Sequence, residues 1–74
     1  MDLIELLKER ENYDDLKAQK KLSLFYVKAH ASGIDSFIDE FFEWLMVNKN
    51  LSYKDIFKYS DHELHDIYFD EFKK

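Results

Sequence analysis

Apolar and polar positions follow a helical spacing between Phe37 and Val47, the most apolar stretch of the chain. At 100° per residue, six apolar side chains fall on one broad face and three acidic side chains fall on the opposite face. The apolar face consists of Phe37, Ile38, Phe41, Phe42, Trp44 and Leu45, and the acidic face of Asp39, Glu40 and Glu43. This pattern predicts an amphipathic helix that forms one wall of a small core.

The segment 13–31 also has helical spacing, but it carries two apolar stripes on roughly opposite faces. One stripe consists of Leu16, Leu24, Val27 and Ala31, and the other of Ala18, Leu22, Phe25 and Ala29. A helix with apolar residues on two sides is normally enclosed by neighbours, so we expect this helix to occupy the buried centre of the domain. The alternative is that one stripe is a surface for a partner or for a second copy of the chain.

Capping residues divide the chain into five helical segments, at about 2–11, 13–31, 36–48, 53–58 and 61–72. The predicted N-caps are Asp2, Asn12, Ser36 (with Asp35 as a competing cap), Ser52 and Ser60. The last two have an acidic residue three positions later, Asp55 and Glu63, which is the spacing of a capping box. Gly33 is expected to close the second helix in the left-handed conformation, and Asn48 to Asn50 to break the chain after the third.

The composition favours helix throughout, because the chain has no Pro and a single Gly in 74 residues. We therefore predict one all-α domain spanning 1–74, a compact bundle of four main helices and one short helix. Without Cys, neither a disulfide nor a thiolate metal site is available to stabilise so short a chain. The thirteen aromatic residues (seven Phe, five Tyr and one Trp) are expected to supply the burial instead.

The net charge of −5 is concentrated in the second part of the chain. Residues 35–43 and 61–71 contain acidic residues and no Lys or Arg, which disfavours direct contact with a nucleic-acid backbone and fits a basic protein surface. The two short helices over 53–72 match the outline of a helix-turn-helix, but the second is acidic up to Lys73. The only basic face is formed by Lys17, Lys21 and Lys28, with Lys20 nearby, and we interpret it as a solvated surface.

The sequence contains few candidates for a catalytic or metal-binding site. The Ser residues are mostly explained as helix caps, no Gly-rich loop can hold a phosphate, and the carboxylates lie on polar helix faces, so we predict a protein that is not an enzyme and needs no cofactor. His62, His65 and Asp66 could share a helix face and bind a metal such as Zn²⁺. Packing and exposed helix positions explain the same residues, and we predict no metal site.

The segment 2–9 is charged throughout, and no run reaches the roughly 18 apolar residues of a membrane span, so we expect a cytoplasmic protein with no membrane contact. Lys outnumbers Arg ten to one, a bias typical of AT-rich coding. Small acidic proteins of this composition fit a phage or another mobile element.

The predicted function is a non-enzymatic protein-interaction module that acts as a regulator or inhibitor by docking an aromatic and acidic helical face onto a partner protein. The predicted contact residues are Glu43, Trp44, Met46, Val47, Tyr68, Phe69 and Asp70. Two alternatives are a homodimer formed through the apolar stripe of residues 37–45, and a nucleic-acid mimic or transcription-regulatory protein. The capping boxes near the end of the chain are general features of helices and do not indicate a family.

Overall fold

The computed structural model describes residues 2–74 and consists of helices joined by short turns. The five α-helices are α1 (Leu3–Glu11), α2 (Asp15–Ala31), α3 (Ile38–Asn48), α4 (Tyr53–Lys58) and α5 (Asp61–Ile67). A π-helical segment, Tyr68–Phe72, continues α5 without a break, and the N–H of Lys73 donates to the carbonyl of Tyr68 five residues back (2.8 Å). The described chain contains no β-strand, which confirms the all-α prediction.

The predicted capping boxes of α4 and α5 are confirmed. The hydroxyl of Ser52 accepts from the N–H of Asp55 (3.2 Å), and the carboxylate of Asp55 accepts from the N–H of Ser52 (3.1 Å). Ser60 and Glu63 form the same reciprocal pair at the start of α5. These hydrogen bonds, from the backbone first and the hydroxyl second, lower the pKa values of the Asp55 and Glu63 carboxyls.

Acid is expected to weaken both caps. Because the pKa of each carboxyl is lower in the folded state, its contribution to stability is present above its unfolded pKa near 4 and is lost as the pH falls through the folded value. The double variant Asp55→Asn, Glu63→Gln should therefore lose less of its stability than the wild type between pH 5 and pH 2.5. Urea unfolding midpoints at the two pH values measure this difference. Equal losses in the two proteins would contradict the role assigned to the caps.

Two other predicted caps are wrong. Asn12 does not cap α2. It ends α1 in the left-handed conformation (φ 59°), and the carboxylate of Asp14 caps α2 by accepting from the N–H of Lys17 (2.8 Å). Neither Ser36 nor Asp35 caps α3, because the chain enters that helix through Phe37 in the left-handed conformation (φ 54°) with no side-chain cap.

Gly33 closes α2 as predicted, with φ at +77°. The N–H of Gly33 donates to the carbonyl of His30 (3.1 Å), and the N–H of Ile34 donates to the carbonyl of Ala29 (2.9 Å). These are the two hydrogen bonds of a Schellman motif, in which a residue without a Cβ takes the left-handed position most easily. The turn sends the chain back so that α3 can pack against α2.

The core is organised around two adjacent rings of α3. Phe42 stacks on Phe25 of α2 (ring centroids 4.3 Å apart), and Phe25 also contacts the ring of Tyr53 (5.1 Å). Phe41 meets the edge of the Tyr68 ring at 5.1 Å. The two aromatic clusters are joined where Phe41 contacts Phe42 (5.5 Å), so α3 connects the two halves of the core.

Helix α2 does not occupy the buried centre, and the prediction that both of its apolar stripes are enclosed is wrong. Ala18, Phe25 and Ala29 are buried. The opposite stripe faces away from the rest of the molecule, because the described chain is too short to place a helix on that side as well. The apolar stripe of α3 is the one that the core encloses.

The helices are also tied by polar contacts. The hydroxyl of Tyr26 on α2 donates to the carboxylate of Asp39 on α3 (2.6 Å). This hydrogen bond, followed by partial burial and the adjacent negative charge, raises the pKa of Tyr26 to about 12, so the phenol keeps its donated proton well into the alkaline range. The carboxylate of Glu11 at the end of α1 accepts from the first N–H of α4, that of Tyr53 (2.6 Å).

The radius of gyration is 11.4 Å, close to the value of about 11.3 Å expected for a compact chain of this length. None of the helices in residues 2–74 has the length and apolar character that a membrane crossing requires.

Candidate functional site

A surface groove of about 310 Å³ runs along the outer side of α3, beside the end of the π-helical segment. We name it the Trp44 groove. Its lining consists of Glu40, Glu43, Trp44, Val47, Asn48 and Phe72. The five residues from α3 share one face because they are spaced by three and four positions, and Phe72 closes the groove from the π-helical segment. This volume is at the low end for small-molecule pockets and suits one or two side chains of a partner.

Packing fixes the indole ring of Trp44 at the edge of the core. The ring lies nearly parallel to that of Phe41 (centroids 6.3 Å apart, 19° between planes) and meets the Phe72 ring at 64° (5.6 Å). Trp44 is only half-buried, so part of the ring remains available at the surface. An aromatic side chain that is already ordered loses little conformational entropy when a partner covers it.

The groove is electronegative. Among the described residues, neither the Glu40 nor the Glu43 carboxylate has an ion-pair partner, whereas the nearby Lys49 pairs with Glu71 (Nζ to Oε1, 2.8 Å). Lys49 also lies over the Trp44 ring, with Nζ 5.6 Å from the centroid. The ring thus already attracts one cation of the chain itself, and two carboxylates are left to attract another.

Three of the seven predicted contact residues, Glu43, Trp44 and Val47, lie together in this groove. Met46 and Tyr68 need correction, because both side chains are fully buried and cannot touch a partner in this conformation. Helix α1 packs against α3, and Arg10 donates a hydrogen bond to the carbonyl of Met46, so the Met46 side of α3 is covered. The hydroxyl of Tyr68 is directed inward to the carbonyl of Ser36 (2.7 Å).

Phe69 and Asp70 are exposed but do not line the Trp44 groove. The Phe69 ring contacts the His65 ring in a tilted arrangement (centroids 4.6 Å apart), and His65 in turn donates from Nδ1 to the carbonyl of Ser32 (3.1 Å). The predicted contact set therefore divides into a groove on α3 and separate residues on the last turns of the chain.

The structure adds Glu40, Asn48 and Phe72 to the groove. Glu40 and Asn48 could have been found from the sequence, because they lie four residues before and after Trp44 and so share its helix face. Phe72 could not, since its position beside Trp44 depends on how the last helix packs against α3.

The two histidines of the candidate metal cluster do not converge. His62 is exposed and lies 3.4 Å from Asp66 (Nε2 to Oδ2), whereas His65 is turned toward Ser32. Within residues 2–74, no three His, Asp or Glu side chains are placed to hold one metal ion.

The apolar stripe of α3, which was one candidate for a self-complementary dimer surface, is largely used by the core. Phe41, Phe42 and Leu45 are fully buried. Contact with a second copy through these residues would require the fold to open.

The lining of the Trp44 groove determines which ligand groups it suits. Its lining offers two carboxylates, an amide and three apolar side chains, and includes no hydroxyl, thiol, imidazole or amine. Such a site suits an ammonium or guanidinium group with an apolar neighbour, because carboxylates form charge-assisted hydrogen bonds with these cations and an indole ring attracts them. No protein-family model, curated protein or solved structure matches this chain.

Proposed function

We propose that the protein is a non-enzymatic interaction module that docks the Trp44 groove onto a basic segment of a partner protein. The observation that carries this proposal is the pair of carboxylates, Glu40 and Glu43, beside the half-buried ring of Trp44. Neither carboxylate is paired within the described chain, so a partner's Lys or Arg can reach both without breaking an internal ion pair.

The partner segment would place one cationic side chain between the carboxylates and one apolar side chain against Val47. Val47 is 51% exposed and therefore gains from being covered. A central aromatic side chain surrounded by charged residues is the arrangement found at binding hot spots, where the aromatic residue supplies most of the energy and the charges select the partner.

By covering a basic segment, the module would act as a regulator or inhibitor of the partner, because the segment would no longer be available to its own anionic ligands. We place this action in the cytoplasm, and we interpret the acidity and the excess of Lys over Arg as features of a phage or another mobile element.

The proposal is tested with a fluorescently labelled synthetic peptide of Lys and Leu residues, followed by fluorescence anisotropy. The double variant Glu40→Gln, Glu43→Gln should weaken binding by about tenfold, corresponding to roughly 1.4 kcal/mol, and should flatten its dependence on salt. Val47→Ser removes apolar contact area from the groove without changing its charge and should weaken binding by about threefold or more.

The matched control is Glu9→Gln, Asp35→Asn, which removes the same charge at two exposed positions outside the groove. If the control weakens binding as much as the groove variant, net charge accounts for the interaction and the groove does not. Melting temperatures of all variants should stay close to that of the wild type, because none of the four acidic side chains is part of the core.

A further inference from the structure

The outer side of α2 is an apolar surface that the fold leaves uncovered. Leu16 and Val27 are 65% and 66% exposed, and Leu24 is 45% exposed. We name this surface the α2 outer stripe and define it by Leu16, Lys20, Leu24, Val27 and Ala31. Its members follow one another at intervals of three or four residues, so they form one line along a 17-residue helix.

Isolated exposed apolar residues are ordinary on protein surfaces, but an aligned set is not. The inner side of α2 already supplies the contacts with the core through Ala18, Phe25 and Ala29. The stability of the fold therefore does not explain the outer leucines and valine. Helix α2 is about 25 Å long, enough for a second helix to lie along it over several turns.

Lysines border one side of this stripe, Lys20 lies within it, and no acidic residue interrupts it. Between Leu16 and Ala31 the helix carries four Lys and no Asp or Glu, in a protein whose net charge is −5. Lys28 is paired with Asp61 (2.9 Å), whereas Lys17 and Lys21 lie over the Tyr13 ring.

A shallow depression of about 420 Å³ lies along the same side, at the N-terminal part of α2. Its lining consists of Asp14, Leu16, Lys17, Lys20, Lys21 and Leu24. The depression therefore combines apolar and cationic side chains within reach of a single bound segment.

We propose that the α2 outer stripe docks an acidic amphipathic helix of a partner protein. The apolar face of that helix would cover Leu16, Leu24 and Val27, and its flanking carboxylates would pair with Lys17, Lys20 and Lys21. Helical partners commonly present apolar anchors at intervals of three and four residues, with flanking charges that select the partner. The surface is separate from the Trp44 groove, and the proposal does not depend on the function assigned to that groove.

The charges along α2 favour an acidic helix over a second copy of the chain or a nucleic acid as the occupant of the stripe. Packing two copies of α2 through their outer stripes would bring together six lysines that have no ion-pair partner among the described residues, Lys17, Lys20 and Lys21 of each copy. Acidic residues lie only at the N-terminal end of each helix, at Asp14 and Asp15, so positive charge is in excess and disfavours a second copy. A nucleic-acid backbone would pair with the lysines but would leave the leucines and valine at the centre of the contact without an apolar partner. An acidic amphipathic helix would both pair with the lysines and cover the leucines and the valine.

The test uses a labelled amphipathic peptide of Glu and Leu, about 14 residues or four helical turns long. A peptide of the same composition with the Leu positions scrambled is the reference. We expect the amphipathic peptide to bind at least about tenfold more tightly than the scrambled one, since only the former aligns its apolar side chains with those of the stripe. Binding should weaken as salt is added.

Two variants of the protein locate the contact. Leu24→Ser, Val27→Ser should weaken binding by about tenfold or more, with Phe37→Ser as the control at a similarly exposed apolar position outside α2 and outside the Trp44 groove. Lys17→Gln, Lys20→Gln should weaken it by about three- to tenfold, with the exposed pair Lys54→Gln, Lys74→Gln as the charge-matched control. Because all these side chains are partly or fully exposed, circular dichroism should show that each variant remains folded.

Several results would overturn the proposal. Equal binding of the amphipathic and scrambled peptides would show that the stripe does not recognise the apolar face of a helix. A dimer in sedimentation that Leu24→Ser, Val27→Ser dissociates would make a second copy the occupant. Binding of phosphatidylserine-containing vesicles or of duplex DNA, without binding of the Glu and Leu peptide, would assign the lysines to lipid or to nucleic acid. The Trp44 groove is tested with a different peptide, that of Lys and Leu. A negative result for one surface therefore leaves the test of the other surface unaffected.

Discussion

Replacing Phe41 with Ala is expected to remove about 3–5 kcal/mol of stability, the usual loss when a buried Phe is truncated to Ala. Its ring is fully buried and contacts Phe42, Trp44, Tyr68 and Phe72, so the cavity would open where the two aromatic clusters meet. A chain of 74 residues has a total stability of about 4–11 kcal/mol, so this one change would remove a large share of it. Urea unfolding followed by circular dichroism measures the loss.

Phe37→Ala is the matched control for Phe41→Ala. Phe37 lies one helical turn earlier in the chain but is 60% exposed, so its truncation should change the free energy of unfolding by less than about 1 kcal/mol. If the two variants were equally destabilised, the burial of Phe41 would not be what holds the clusters together.

Gly33→Ala is expected to destabilise the protein by about 1–2 kcal/mol, because an L side chain disfavours the left-handed backbone that closes α2. The added Cβ would also come within 3.3 Å of Nδ1 of His65, the atom that donates to the carbonyl of Ser32. Part of the loss would therefore come from a displaced His65 ring.

A double-mutant cycle separates the two contributions at Gly33. His65→Ala removes the neighbouring ring but leaves the backbone angle unchanged, so Gly33→Ala should be less harmful in that background than in the wild type. A smaller but still substantial loss is expected, since most of the effect comes from the positive φ of +77°. No loss in the His65→Ala background would mean that steric contact alone disfavours a side chain at this position.

The sequence was sufficient for features that depend on neighbours along the chain. Ser52 and Ser60 cap their helices because the partner of each cap is only three residues away, and no distant residue competes for the hydroxyl. Gly33 is similar, since its left-handed turn is completed by hydrogen bonds to His30 and Ala29. The position and approximate length of the helices followed from these signals together with the apolar spacing, but the π-helical form of Tyr68–Phe72 did not.

Features that depend on distant contacts could not be read from the sequence. Ser36 has the spacing of a cap, but its hydroxyl lies 2.9 Å from that of Tyr68, 32 residues later. Asn12 suits both a helix start and a left-handed helix end, and the position of Asp14 decided between them. Local conformational propensity alone cannot decide which of two such roles a side chain takes.

The exposure of residues at the candidate site also depends on distant contacts. Met46 and Val47 are adjacent and both lie outside the main apolar stripe, yet Met46 is buried and Val47 is 51% exposed. The difference arises because α1 covers one side of α3. For α2, the spacing revealed two apolar stripes, but only the packing of the other helices shows that Leu16, Leu24 and Val27 remain outside.

The two surfaces have opposite charge and different shape. The Trp44 groove is a short acidic site for a basic segment, whereas the α2 outer stripe is a long apolar line bordered by lysines. A chain that engages both would bring a basic and an acidic partner segment together, and the linked contacts would raise the apparent affinity if the two segments belonged to one protein.

Docking of a basic segment in the Trp44 groove is tested most directly by a two-dimensional NMR titration of the isotope-labelled protein with the Lys and Leu peptide. We expect the largest amide shifts in residues 40–48 and around Phe72, together with a shift of the Trp44 indole N–H, while the amides of α2 remain largely unchanged. Shifts centred on residues outside these positions, or an unchanged Trp44 indole at saturating peptide, would contradict the proposed function.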